Sequence, residues 1–259
     1  MSLILVEFEN EIGTIVLNNP ARRNALSHAL ILEVIAALND LAARKARAVI
    51  LRAPSGCKVW SAGHDIEELP NAGRDPLGWG DSLRQLARGI QMFPAPVLAL
   101  LEGGVWGGAC EVVMSCDLLV ATPDATFAIT PAKLGIPYNL SGLLTLINAV
   151  PLPVAREMLF TAQPIPMSQA LNLGIVNYVI PADEIDAFVL SLAQRICANA
   201  PLSISVMKEE IRLLASAHSI TPELFEQIQG LRRIVYDSDD YQEGLNAFRE
   251  KRKANFQGR

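Results

Sequence analysis

The chain has 259 residues, 51% of them hydrophobic and 19% charged, which argues against disorder and allows one sizeable core with a helical extension. The formal net charge of -5 gives no electrostatic basis for binding nucleic acid or an anionic membrane. The first residues lack a basic region, and acidic residues interrupt their apolar run. We therefore expect no signal peptide, no membrane span and a cytoplasmic location.

The first half of the chain alternates between strand and helix patterns. Two short apolar runs flank the polar residues 10–13, which predicts an N-terminal hairpin, and Ser27 is a residue type that caps helices. Such alternation favours α/β units over an all-β fold. The predicted elements are strands at residues 3–8, 14–17, 48–52, 97–101 and 117–121, and helices at residues 28–44, 82–92 and 110–114.

The second half of the chain has a mainly helical pattern from Val154 onward. Prolines at positions 181, 201 and 222 stand near the starts of helical stretches, where a missing N–H costs little. We find no internal repeat and no low-complexity linker. The pattern predicts a core at residues 1–180 and a helical C-terminal region at residues 181–259.

Two segments place small residues where a strand passes into a helix. They are Trp60-Ser-Ala-Gly-His-Asp-Ile66 and Gly103-Gly-Val-Trp-Gly-Gly-Ala-Cys-Glu111. A glycine after a strand is usually only a turn, but backbone N–H groups at a helix N-terminus also favour negative charge. One N–H from each segment could together form an oxyanion hole.

Other common sites have little support in the sequence. It contains no GxGxxG, GxxxxGK[ST] or GxSxG motif. The three histidines form no HExxH pair and the four cysteines no CxxC pair, so we expect reduced thiols and no metal site. Residues 237–240 partly match a calcium loop but lack its glycine, and we interpret them as a solvated helix start.

Four ordered motifs resemble those of the enoyl-CoA hydratase/isomerase, or crotonase, superfamily, and together they span nearly the whole chain. The resemblance implies an α/β fold, a spiral of ββα units with a helical C-terminal trimerisation region, and self-association into trimers and hexamers. It also implies an acyl-CoA substrate whose coenzyme A replaces any separate cofactor. The motifs are Asn18-Asn-Pro-Ala-Arg-Arg-Asn-Ala-Leu26, Ser61-Ala-Gly-His-Asp-Ile66, Gly107-Gly-Ala-Cys-Glu111 and Phe248-Arg-Glu-Lys-Arg-Lys-Ala-Asn-Phe256.

The same resemblance implies roles for individual residues. The N–H groups of His64 and Gly108 would form the oxyanion hole, and the side chain of His64 is more simply interpreted as packed or solvated. Phe248 and Lys251 would reach a neighbour's ligand, although the residues alone fit an ordinary solvated helix end. The other substrate contacts would come from Arg22, Arg23, Ala25, Ala62, Asp65, Ile66, Gly107, Thr130 and Pro131.

Hydratases of this family use two glutamates to activate water. Glu111 matches the first, but the position of the second is occupied by Pro131, which cannot transfer a proton, so efficient hydration is not expected. Longer strings resemble the bacterial methylmalonyl-CoA decarboxylase subfamily. These strings are residues 51–56, 61–66, 73–77, 130–140 and 235–244.

The predicted reaction is decarboxylation of methylmalonyl-CoA to propionyl-CoA and CO2 through a thioester enolate, which needs an oxyanion hole more than a base. Tyr138 would orient the leaving carboxylate or relay a proton, unless it is an ordinary loop tyrosine. Glu111 would repel the substrate carboxylate, so we expect it to be hydrogen-bonded elsewhere or to have a raised pKa. The alternatives are another acyl-CoA activity, such as enoyl-CoA hydratase, and a non-catalytic acyl-CoA-binding scaffold.

Overall fold

The computed structural model describes residues 2–69, 81–215 and 222–258, and these contain ten β-strands and ten α-helices. The strands are β1 (Ile4–Glu9), β2 (Ile12–Leu17), β3 (Ala48–Arg52), β4 (Val59–Ser61), β5 (Val97–Leu101), β6 (Gly104–Trp106), β7 (Leu118–Ala121), β8 (Thr126–Ala128), β9 (Ile165–Pro166) and β10 (Tyr178–Val179). The helices are α1 (His28–Ala43), α2 (Ser82–Met92), α3 (Gly108–Met114), α4 (Leu140–Ala149), α5 (Leu152–Thr161), α6 (Met167–Asn172), α7 (Ile185–Cys197), α8 (Pro201–Ala215), α9 (Pro222–Tyr236) and α10 (Asp239–Arg249).

The strands form two sheets that the chain visits in turn. One has the order β1-β2-β3-β5-β7-β10 and the other the order β4-β6-β8-β9. β1 and β2 form the predicted antiparallel hairpin, and β2, β3, β5 and β7 continue the sheet in parallel. Each turn of the chain adds one strand to each sheet and then a helix, as in β3-β4-α2 and β5-β6-α3. This repetition confirms the predicted spiral of ββα units.

The central strands β3 and β5 of the larger sheet are buried on both faces, which explains their continuous apolar runs in the sequence. Along β3, Val49 and Leu51 join the main core with α1 and α2, whereas Ala48 and Ile50 face the side chains of α7. Successive side chains of a strand point to opposite faces, so both sets must be apolar. Helix α7 therefore packs on the spiral core although it lies beyond residue 180.

The boundaries of several elements differ from the predicted ones. Helical structure begins before Val154, because α4 follows Asn139, whose side-chain oxygen accepts a hydrogen bond from the Gly142 N–H. Helix α3 begins at Gly108 rather than at Cys110. The strands of the smaller sheet were not predicted, since β4, β6 and β8 have three residues each and are too short to show a period of two.

The C-terminal helices contact the core at a few points. Helix α8 has no buried side chain, but the Nζ of Lys208 lies 2.7 Å from the Asp117 carboxylate and bonds two core carbonyls. Helix α10 packs against a 3-10 helix at Pro131–Leu134. Within the described residues no single helix has the length and apolarity of a membrane span, although α7 and α8, bent by 103°, meet those two criteria as a pair.

Candidate active site

The first two family motifs are far apart in sequence and are joined by backbone hydrogen bonds. The Leu26 N–H donates to the Gly63 carbonyl at 2.8 Å, and the Ala62 N–H donates to the Arg23 carbonyl at 2.9 Å. Ala25, between the two bonded residues of the first loop, is buried. The loop after β2 and the loop after β4 thus form one rigid edge of the site.

The backbone amides of His64 and Gly108 lie side by side. Gly63 has φ of 88°, and a Cβ atom there would lie 2.9 Å from the Gly108 nitrogen and collide with the Trp106 carbonyl oxygen. A Cβ atom on Gly108 would lie 3.4 Å from the His64 nitrogen. Across the described ranges, neither of these two N–H groups donates to a protein acceptor. Two adjacent donors, one of them on the first residue of α3, are the arrangement an oxyanion requires.

The imidazole of His64 is held within the protein rather than presented as a base. Its Nδ1 lies 3.1 Å from the Asp65 carbonyl oxygen, and its Nε2 lies 3.5 Å from Oδ2 of Asp81. Burial lowers the pKa of His64, but the hydrogen bond and charge of Asp81 outweigh it, so the pKa is raised. This placement favours the interpretation that His64 acts through its backbone.

The Glu111 carboxylate is turned into the protein. It is 1% exposed and accepts hydrogen bonds from Asn139 Nδ2 at 2.8 Å and Ser141 Oγ at 2.7 Å. Burial raises the pKa of Glu111, and the two hydrogen bonds oppose that shift in part. The oxygens of Glu111 are therefore occupied by protein donors and its pKa is raised, and its role in catalysis stays a prediction.

Replacing Glu111 with glutamine should change how stability depends on pH. Because the native pKa of Glu111 is raised, the folded protein holds this proton more tightly than the unfolded chain. The contribution of Glu111 to wild-type stability therefore falls as pH rises from the ordinary value of 4.5 through the native pKa. We expect the unfolding free energy of E111Q, relative to wild type, to increase over that range in urea titrations. A difference that is constant with pH would contradict the assignment.

Tyr138 lies near the N-terminus of α3, next to the adjacent backbone amides of His64 and Gly108. Its side chain is buried, and its hydroxyl lies 3.5 Å from the Gly107 carbonyl oxygen. Burial and the nearby Glu111 carboxylate raise its pKa well above the ordinary value, so the hydroxyl is neutral and can donate. The Tyr138 carbonyl in turn accepts a 2.6 Å hydrogen bond from the buried guanidinium of Arg232 on α9. Arg232 was not identified from the sequence, because the contact spans 94 positions.

Two predicted substrate residues, Arg22 and Asp65, bind each other at the rim of the site. Nη2 of Arg22 lies 3.1 Å from Asp65 Oδ1 and 2.7 Å from Glu67 Oε2. Asp65 is itself buried and caps the 3-10 helix at Ile66–Glu68. Arg23 is exposed in a left-handed turn with φ of 51°. The two arginines thus lie beside the 62–66 segment, to which the resemblance also assigns substrate contacts.

The remaining predicted residues divide into two groups. Thr130 borders the oxyanion donors, because its Oγ1 would lie 3.3 Å from a Cβ atom on Gly107, and Pro131 begins the 3-10 helix that follows. Phe248 and Lys251 lie instead at the end of α10, where the side chain of Phe248 is 52% exposed. Their contact with a neighbour's ligand stays a prediction.

Comparison with known proteins agrees with this geometry. A family model described as enoyl-CoA hydratase/isomerase matches residues 7–259. The chain belongs to the enoyl-CoA hydratase/isomerase family. Among characterised members of the family, the methylmalonyl-CoA decarboxylase of Escherichia coli K12 is 51% identical over 249 residues, covering 96% of this chain and 95% of that protein.

Two solved structures of methylmalonyl-CoA decarboxylases are similar to this chain in both fold and sequence. A methylmalonyl-CoA decarboxylase in complex with 2-nitronate-propionyl-CoA superposes with a TM-score of 0.97 at 49% identity, covering 99% of both chains. A second, complexed with 2S-carboxypropyl CoA, has a TM-score of 0.98 at 49% identity and covers 100% of this chain and 99% of that one. Of the strings that resemble this subfamily, residues 73–77 lie outside the described residues.

Proposed function

We propose that this protein decarboxylates methylmalonyl-CoA to propionyl-CoA and CO2. The observation that carries the proposal is the pair of adjacent amides at His64 and Gly108, which have no acceptor among the described residues. They lie beside a position where Pro131 replaces the second glutamate of a hydratase. About half of the residues are identical to those of methylmalonyl-CoA decarboxylases over nearly the full length, which supports the same activity.

The chemistry needs a place for negative charge more than it needs a base. As the bond between Cα and the carboxylate breaks, its electron pair moves into the thioester and charge develops on the thioester oxygen. The His64 and Gly108 N–H groups and the N-terminal end of α3 stabilise that charge, which is larger in the enolate than in the substrate. A proton then adds to Cα and gives propionyl-CoA.

The buried acid is consistent with an anionic substrate. An ionised Glu111 facing the acyl group would repel the substrate carboxylate, whereas here Asn139 and Ser141 occupy its oxygens. The neutral hydroxyl of Tyr138 lies at the same end of α3 and can donate a hydrogen bond to the carboxylate that leaves. It can also pass its proton towards the enolate.

Replacing Tyr138 with phenylalanine tests this assignment. The ring is buried and would be retained, so we expect folding and the affinity for propionyl-CoA to stay near wild type. CO2 release from methylmalonyl-CoA should fall by about 100-fold, the lower end of the range for loss of one positioned proton donor. The two quantities are measured on one preparation by CO2 capture and by titration calorimetry. An equal loss of both would assign Tyr138 to folding.

We also propose that the helical region at residues 181–259 mediates the predicted assembly into trimers and hexamers. Large apolar side chains on α8 and α9 are exposed in the single chain, including Leu202, Ile211, Leu214, Leu231 and Ile234. A large number of exposed apolar side chains is typical of an interface between copies. The free thiols of the four cysteines fit the cytoplasmic location, which stays a prediction.

A further inference from the structure

Asp81 connects the side chain of His64 to the start of α2. Its Oδ1 accepts hydrogen bonds from the Leu83 N–H at 2.6 Å and the Arg84 N–H at 3.3 Å, so it is the N-cap of that helix. Its Oδ2 lies 3.5 Å from Nε2 of His64. The carboxylate is 5% exposed, so both contacts are shielded from water and salt.

The same helix also contacts the second oxyanion donor. A Cβ atom on Gly108 would lie 2.7 Å from Cδ2 of Leu83, which places this buried leucine directly against Gly108. Helix α2 is thus in van der Waals contact with one donor. Through the Asp81 carboxylate, which lies 3.5 Å from Nε2 of His64, it also contacts the residue that carries the other donor.

We propose that Asp81 is a positioning residue for decarboxylation: by holding the His64 ring on α2, it fixes the His64 N–H beside the Gly108 N–H. The proposal rests on the decarboxylase function proposed above. Oxyanion donors are effective only when their geometry is set before the reaction, and small misplacements are costly. The raised pKa of His64 agrees with a close, charged partner, since burial alone would lower it.

The test compares D81A and D81N with wild type. We expect D81A to lower the turnover number for CO2 release about 10- to 100-fold, less than complete loss of a donor, with little change in KM. D81N should recover part of this loss, because its amide oxygen can still cap α2 while its NH2 group donates to Nε2 of a neutral His64 ring. D81N also keeps the test decisive if D81A folds poorly.

Two further measurements separate positioning from helix capping. Ser238 is the N-cap of α10 and bonds the Tyr241 N–H at 3.2 Å, so S238A removes a comparable cap without touching either donor. It should lower the melting temperature but leave turnover unchanged. Binding of 2-nitronate-propionyl-CoA, a planar anion that shares its charge with the thioester oxygen, should weaken in D81A by about the same factor as turnover. Binding of propionyl-CoA should not.

A double-mutant cycle with H64A shows whether Asp81 acts through the His64 ring. H64A keeps the backbone N–H but removes the ring, so D81A should cost much less in the H64A background than in wild type. Additive losses, unchanged turnover in D81A, or equal weakening of the nitronate and propionyl-CoA would overturn the proposal. Wild-type protein that binds both ligands but releases no CO2 would instead overturn the proposed function, which keeps the two failures distinct.

Discussion

Replacing Gly108 with proline is expected to lower the turnover number for CO2 release by about 100- to 1,000-fold, the range for loss of one oxyanion donor. Gly108 is the first residue of α3, a position at which helices accept proline because its N–H has no partner within the helix. The substitution therefore removes the donor without breaking the helix. Affinity for propionyl-CoA, which carries little charge on its thioester oxygen, should change far less.

Alanine at the same position is the matched control. G108A keeps the N–H but adds a Cβ atom 2.7 Å from Leu83 Cδ2 and 3.4 Å from the His64 nitrogen, and proline adds the same atom. The difference in turnover between G108P and G108A therefore separates replacement of the N–H by the proline ring from crowding by the Cβ atom. Equal losses would assign the effect to crowding, and unchanged turnover in G108P would remove Gly108 from the oxyanion hole.

The second large effect is expected for Gly63→Ala, which should abolish activity and destabilise the fold. Gly63 has φ of 88°, a conformation that costs a residue with a side chain about 1–3 kcal/mol. The new Cβ atom would also collide with the Trp106 carbonyl oxygen and lie 2.9 Å from the Gly108 nitrogen. The two loops that carry the donors would have to separate, so stability and turnover fall together.

Gly174→Ala separates the effect of backbone strain from the effect of the collision. Its φ is 74°, but no atom lies within 4 Å of a Cβ atom built there, so G174A has the backbone strain without the collision. Thermal unfolding and CO2 release are measured for both variants. We expect a clearly larger fall in melting temperature for G63A, and loss of turnover in G63A alone. Equal melting temperatures would mean that the two loops approach less closely than the structure shows.

Local sequence patterns were sufficient to predict the parts of the fold that depend on local chemistry. The apolar runs of β3 and β5, the cap at Ser27 and the glycines before His64 and Gly108 all depend on neighbours within a few positions. The three-residue strands of the smaller sheet could not be predicted, because they are too short for a periodic signal. They form only because each pairs with a strand from another turn of the spiral.

The contacts of the site residues likewise divide into those that the sequence could predict and those that it could not. The sequence identified Glu111, but its hydrogen bonds to Asn139 and Ser141 join residues 28 and 30 positions away. Asp81 directly precedes the predicted helix at residues 82–92, so its capping role could have been read from the sequence. Its contact with His64 could not, and neither could the bond from Arg232 to the Tyr138 carbonyl, since both depend on tertiary packing.

The most direct test of the decarboxylase assignment is CO2 release from methylmalonyl-CoA, with hydration of crotonyl-CoA assayed in parallel on the same preparation. The adjacent backbone amides of His64 and Gly108 predict rapid CO2 release. Pro131, at the position of the second glutamate of a hydratase, predicts negligible hydration. Rapid hydration without CO2 release would contradict the assignment, because another residue would then have to supply the acid–base group that Pro131 lacks.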